Sequence, residues 1–131
     1  MRLLATLSLL VLLLNACQAA PLAEGMFMGA WGGRHIGLQL TARGGALDYD
    51  CAAGTIDEFV RVDASGRFTA RGTHTPGIGG PERVDVPHPH LPAQYSGRIQ
   101  GERMTLSVRA PDELGPFALA QGAEPILMRC L

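Results

Sequence analysis

From Gly25 onward, apolar residues recur at every second position in short runs broken by Gly or Pro, and no stretch carries them three and four apart. A period of two is the signature of strands, not helices. In His35 to Thr41, Ile36, Leu38 and Leu40 alternate with His35, Gln39 and Thr41. Arg43-Gly44-Gly45 then reads as a turn into Leu47, Tyr49 and Cys51, with Asp48 and Asp50 on the opposite face, which together predict a hairpin. Thr55 to Val62 predicts a further strand. Asp63-Ala64-Ser65-Gly66 is a turn leading to Phe68, Ala70 and Gly72 facing inward. Tyr95 to Ile99 and Met104 to Val108 flank a turn at Gln100 to Arg103. Phe117 to Ala120 and Ile126 to Cys130 flank another at Gln121 to Glu124. With Met26 to Trp31 this makes about eight short strands in one domain, residues 25–131. The predicted class is all-β, a small antiparallel meandering β-barrel, with a β-sandwich as the alternative, because both bury short strands without long free edges. Trp31, Phe59, Phe68, Tyr95 and Phe117 are the large side chains available to fill it.

One segment breaks the pattern. Thr73 to Pro92 (THTPGIGGPERVDVPHPHLP) concentrates Pro, Gly and three of the four His of the chain. A connection of that length without its own pattern is functional or flexible in a compact domain, so it marks the place to look for a ligand.

The start of the chain has a different character. Arg2 precedes the unbroken apolar run Leu3 to Leu14, too short for a membrane-spanning helix and of the length of a signal-peptide core. Leu14-Asn15-Ala16-Cys17 follows and resembles the lipobox of bacterial lipoproteins, with Asn15 standing where that pattern has a small or hydroxylated residue. The resemblance implies a signal peptide over residues 1–16, diacylglycerol and palmitate on Cys17, and a tether over 17–24. Because Gln18 is not Asp, it also implies an outer-membrane anchor facing the periplasm in an organism with two membranes. A plain secretory signal cut near Ala19 or Ala20, giving a soluble exported protein, is the alternative.

Export changes the reading of the other two cysteines. Cys51 and Cys130 form an even pair in an oxidising compartment, with no C-x-x-C and no nearby His, which predicts a disulfide joining the third strand to the last. Closing so long a loop is worth about 4 kcal/mol in the chain-entropy picture. All basic residues are Arg, scattered singly between Arg2 and Arg129 and balanced by acids to a net charge of -1, so no basic stripe for nucleic acid is legible. Charged residues make up 18% against 47% hydrophobic, which fits a packed globule.

Catalytic signatures are absent from the sequence. There is no G-x-S-x-G, and the acid pairs Asp48 with Asp50 and Asp57 with Glu58 read as the solvent face of strands. The expected protein is not an enzyme and needs no cofactor. His74, His88 and His90 in the irregular segment are candidate ligands for Cu or Zn, with His88 and His90 two residues apart on an extended backbone. Solvated loop histidines are the simpler interpretation.

Trp31-Gly32-Gly33-Arg34-His35-Ile36-Gly37-Leu38, Tyr49-Asp50-Cys51-Ala52, Gly54-Thr55-Ile56-Asp57, Tyr95-Ser96-Gly97, Met104-Thr105-Leu106 and Arg129-Cys130 resemble a group of short, uncharacterised bacterial exported proteins. That resemblance implies a single domain and transfers no site. More loosely, an early Trp in a small exported barrel with one disulfide is similar to the barrel inhibitors of bacterial metalloproteases, at the level of fold alone. The functional expectation is a lipid-anchored envelope protein that binds a small ligand or a protein partner. Metal binding through histidine and inhibition of an envelope protease are the alternatives.

Overall fold

In a computed structural model, which describes residues 27–77 and 87–130, the chain forms eight antiparallel strands in a closed barrel. They are β1 (Gly29–Gly33), β2 (Ile36–Thr41), β3 (Gly44–Tyr49), β4 (Ala52–Ile56), β5 (Arg67–Pro76), β6 (Leu91–Gln100), β7 (Arg103–Ala110) and β8 (Asp112–Gln121). Each pairs with the next in sequence, and β1 returns to β8 with Trp31 opposite Gln121, Gly32 opposite Ala120 and Gly33 opposite Leu119. The meandering barrel read from the alternation is the architecture observed, and the sandwich is excluded by closure.

Alternation puts one face of every strand inside. Ile36, Leu38 and Leu40 of β2, Phe68 and Ala70 of β5, Tyr95 and Ile99 of β6, and Met104, Leu106 and Val108 of β7 are all buried. Closing the ring lets the backbone groups of every strand pair with a neighbour on both sides and leaves no free edge.

The two ends of the barrel differ. At the end where β1 begins, Phe27 and Val60 are buried and the Trp31 indole N–H donates to the Phe27 carbonyl at 2.8 Å. The connection between β4 and β5 lies at this end. It is shaped by Asp63, whose Oδ1 accepts the Ser65 hydroxyl at 2.7 Å and the amides of Ser65 and Arg67 at 2.8 and 3.0 Å. These bonds hold the Asp63 carboxyl below its ordinary range, the Ser65 hydroxyl contributing most. The opposite end carries the turns β1–β2, β3–β4 and β7–β8 and the connection from β5 to β6.

Several details depart from the sequence reading. Thr55 to Val62 is not one strand: β4 ends at Ile56, and the next residues cross to the sealed end, burying Val60 while Phe59 stays half-buried. Thr73 to Pro92 is shorter as a loop than its composition suggested, because β5 extends through Pro76 and β6 starts at Leu91, with Thr73 paired to Pro92 and His74 to Leu91. Residues 78–86 of that connection lie outside the described residues.

Ile126 to Cys130 is not a hairpin strand. The tail after β8 runs up the outside of the barrel, held by a parallel bridge between Arg34 and Ile126, with the His35 amide donating to the Ile126 carbonyl and the Ile126 amide to Gly33. A Cβ at Gly32 would overlap the Ala123 carbonyl, so the close approach of the tail requires glycine there. Cys51 and Cys130 are at disulfide distance, with Cα atoms 5.3 Å apart. Cys51 sits in the β3–β4 turn and Cys130 in the tail, so the link is between turn and tail, not between the third strand and the last. Barrel closure belongs to the β1–β8 seam instead.

It follows that reducing the Cys51–Cys130 pair should release the tail while the barrel persists. The expected result is a melting temperature lower by several degrees, since ~1 kcal/mol moves a domain of this size by roughly 4 to 8 °C, with an unchanged far-ultraviolet strand signal. Differential alkylation with and without reductant, followed by mass spectrometry, checks the pairing itself.

Candidate functional site

The open end holds a cleft of about 380 Å³ lined by His35, Tyr49, Asp50, His74, Leu114 and Phe117 among others. That is the lower part of the size range of small-molecule sites. Its floor is aromatic. Tyr49, the last residue of β3, and His74, near the end of β5, both project inward, their rings 5.3 Å apart in an edge-on arrangement. Phe117 of β8 lies 5.7 Å from Tyr49 on the other side.

Two polar atoms in this floor lack a well-formed hydrogen bond among the described residues: His74 Nδ1, and the Tyr49 hydroxyl, whose one polar interaction, with the Tyr95 hydroxyl, has poor geometry. The adjacent Tyr95 hydroxyl donates to the Thr73 carbonyl at 2.7 Å. An unpartnered buried donor or acceptor costs about 1–3 kcal/mol, and Phe or Leu would avoid it. Burial, with Tyr95 reinforcing it, pushes the Tyr49 hydroxyl far above its ordinary pKa. Burial also pulls the His74 imidazole below its ordinary value of 6.5, so it is neutral at pH 7. The floor therefore offers two uncharged hydrogen-bonding groups on an apolar base.

The rim is organised by Asp50. Its Oδ1 accepts the Met128 amide at 2.6 Å and its Oδ2 bonds His35 Nδ1. The Met128 amide is the main reason its pKa is lowered, desolvation works against the shift, and His35 adds to it. A carboxylate depressed in the folded state contributes stability at neutral pH that is lost as pH falls through its folded pKa. One side chain thus ties the β3–β4 turn to the β1–β2 turn and to the tail. His35 and Cys51 occupy these turns with φ of 72° and 60°, a left-handed conformation uncommon for side chains other than Asn, Asp or Gly.

All four histidines come to this end of the barrel, but not as a metal shell. His74 points into the barrel, whereas His90 bonds the Thr75 hydroxyl through Nδ1 at 2.7 Å on the outer face. Successive strand residues face opposite sides, so neighbours of the His74 pairing are directed away from it. His88 lies in the approach to β6. Among the described residues no group of three or more His, Cys, Asp or Glu could hold a metal ion. Cys17 and the rest of residues 1–24, read above as signal peptide and tether, lie outside the described residues. No helix among the described residues is long and apolar enough to cross a membrane.

His74 was visible in the sequence as the next inward position after Phe68, Ala70 and Gly72, and Tyr49 as the inward partner of Leu47. The His35–Asp50–Met128 network had no such signal, being made by a tail whose path depends on the closed fold. No protein-family model matches the chain, and no curated protein or solved structure matches it.

Because His74 is held neutral by burial, the unfolded chain binds a proton that the folded one refuses. Stability should fall as pH drops below about 6.5, and His74→Leu should flatten that part of the profile. Urea unfolding at about pH 7.5 and pH 5.5 measures both. Tyr49→Phe removes a poorly satisfied hydroxyl and should leave stability within about 1 kcal/mol of the parent or raise it.

Proposed function

We propose that this is a lipid-anchored, non-enzymatic binding protein of the bacterial envelope, taking a small, mostly apolar molecule with one uncharged hydroxyl or amide into the open end of the barrel. The observation that carries the reading is the pair of buried, poorly satisfied polar atoms at the base of the cleft, His74 Nδ1 without a partner and the Tyr49 hydroxyl with only the Tyr95 hydroxyl near it. Sites of this type are apolar with a few polar groups that fix orientation. A neutral imidazole and a phenol satisfy a neutral head group. They provide no charge to balance a carboxylate or an ammonium. Leu114, Phe117 and the ring of Tyr49 cover the apolar part.

Anchoring rests on the lipobox-like Leu14 to Cys17 and the apolar run before it. In that arrangement Phe27, the first described residue, lies at the sealed end, and the cleft opens at the opposite one. Metabolic labelling with a palmitate analogue should mark the wild-type chain and not Cys17→Ala. Equal labelling of the two contradicts the anchor.

The cleft is tested with 2-naphthol, whose fluorescence reports transfer from water to an apolar site. The chain should bind it at one site, and Tyr49→Phe and His74→Leu should each weaken binding about fivefold to tenfold, the worth of one neutral hydrogen bond. For Tyr49→Phe the loss of binding comes without loss of stability, which separates a ligand contact from a packing role. Binding unchanged in both variants contradicts the reading.

A further inference from the structure

The arginines, single and scattered in sequence, are gathered by the fold. Strands β5, β6 and β7 together contain five Arg and no Asp or Glu, whereas β1 to β4 contain one Asp and no Arg. All five, Arg67, Arg71, Arg98, Arg103 and Arg109, are exposed, because the alternate positions in these strands are buried. Arg67 stands directly opposite Arg98, and Arg103 is diagonal to Arg98 through the pairing of Arg98 with Thr105. Like charges directly across a strand pair destabilise a sheet.

Carboxylates lie at the margins of this wall. Glu58 is 3.7 Å from Arg71, Asp63 takes the Arg67 amide, Glu102 precedes Arg103 and Glu113 is opposite Arg109. Among the described residues Arg98, Arg103 and Arg109 are in no ion pair within 4.0 Å. Between the charged rows runs a row of hydroxyls, Thr69 opposite Ser96 and Ser96 opposite Ser107. Beside it is a groove of about 200 Å³ lined by Gln94, Ser96, Ser107, Arg109 and Glu113 among others.

We propose that the outer wall of β5, β6 and β7 is a docking surface for an anionic polysaccharide. Guanidinium groups bind carboxylate or sulfate in a forked geometry, and rows of hydroxyl and amide side chains between them match a polymer that carries hydroxyls between its anionic groups. Apart from Pro92, the outward residues of the three strands are all Arg, Thr, Ser or Gln. The wall therefore has no aromatic ring to stack on an unpaired nucleobase and, beyond Pro92, no apolar side chain to enter a bilayer, which disfavours single-stranded nucleic acid and membrane. This surface is distinct from the cleft, and its failure would leave the cleft untouched.

Polygalacturonate, a polymer of carboxylated sugars, serves as the probe, with neutral dextran, phosphatidylglycerol vesicles and duplex DNA as comparisons. The full chain in mild detergent at low salt should bind polygalacturonate and not dextran, and binding should weaken as salt rises. Arg67→Gln with Arg98→Gln should weaken it about fivefold or more. Arg34→Gln with Arg129→Gln, which changes net charge equally but lies off the wall, should leave it within about twofold. Should the wall variant fold poorly, amide shifts of Thr69, Ser96 and Ser107 in the wild-type chain on adding polygalacturonate provide the same test. No binding by wild type, equal loss in both variants, absent shifts, or binding to vesicles or DNA as tight as to the polysaccharide overturns the proposal.

Discussion

The seam between β1 and β8 is the constraint on which the rest of the structure depends. Without it, seven strand pairs would form an open sheet with two edges and an apolar face exposed at both margins. The seam is short, three residue pairs from Trp31–Gln121 to Gly33–Leu119, and it is built on glycine. A Cβ at Gly33 would run into the Ala118 carbonyl of the facing strand. Trp31 supplies the opposite requirement, a large ring that is 1% exposed and packs the interior where the ring of strands closes. Small residues on the seam backbone and one large residue inside it are two halves of the same closure.

Closure makes the two ends unequal. Phe27, Trp31 and Val60 fill one end with apolar side chains, and the indole N–H has its acceptor in Phe27. At the other end the interior finishes in Tyr49 and His74, polar groups placed in a dry setting. The tail strengthens that end from outside, because Asp50 links it through Met128 to His35 and the adjacent Cys51 meets Cys130. His35 and Cys51 take left-handed conformations in two of the rim turns. A rigid rim around an incompletely satisfied floor is an arrangement suited to binding, since little order remains to be imposed on the protein when a ligand arrives.

How much of this was legible in the sequence depends on the range of the interaction. Alternation along β2, β3 and β5 and the Asp63 to Gly66 turn are local, and they stand where the pattern placed them. The exchange of Phe59 for Val60 in the core reflects a connection that crosses the sealed end, where no period applies. Ile126 to Cys130 alternates like a strand, yet β1 already has β2 on one side and β8 on the other, so the segment could only lie outside as a strap. The arginine wall was hidden for the same reason. Arg67 and Arg98 are far apart in the chain, and only the register of β5 with β6 makes them neighbours. Of the candidate metal ligands, the inward position of His74 follows from the period of β5, and that same period separates it from His90.

The chain closes on itself through β1 and β8, which gives the barrel its sealed end and its open one. Isotope-edited nuclear Overhauser spectra of the labelled chain test it most directly. A closed barrel shows cross-strand contacts between the backbone protons of Gly32 and Ala120 and of Gly33 and Leu119, with slowly exchanging seam amides. Absent contacts across that pair of strands, with freely exchanging amides in β1, would mean an open sheet and would contradict it.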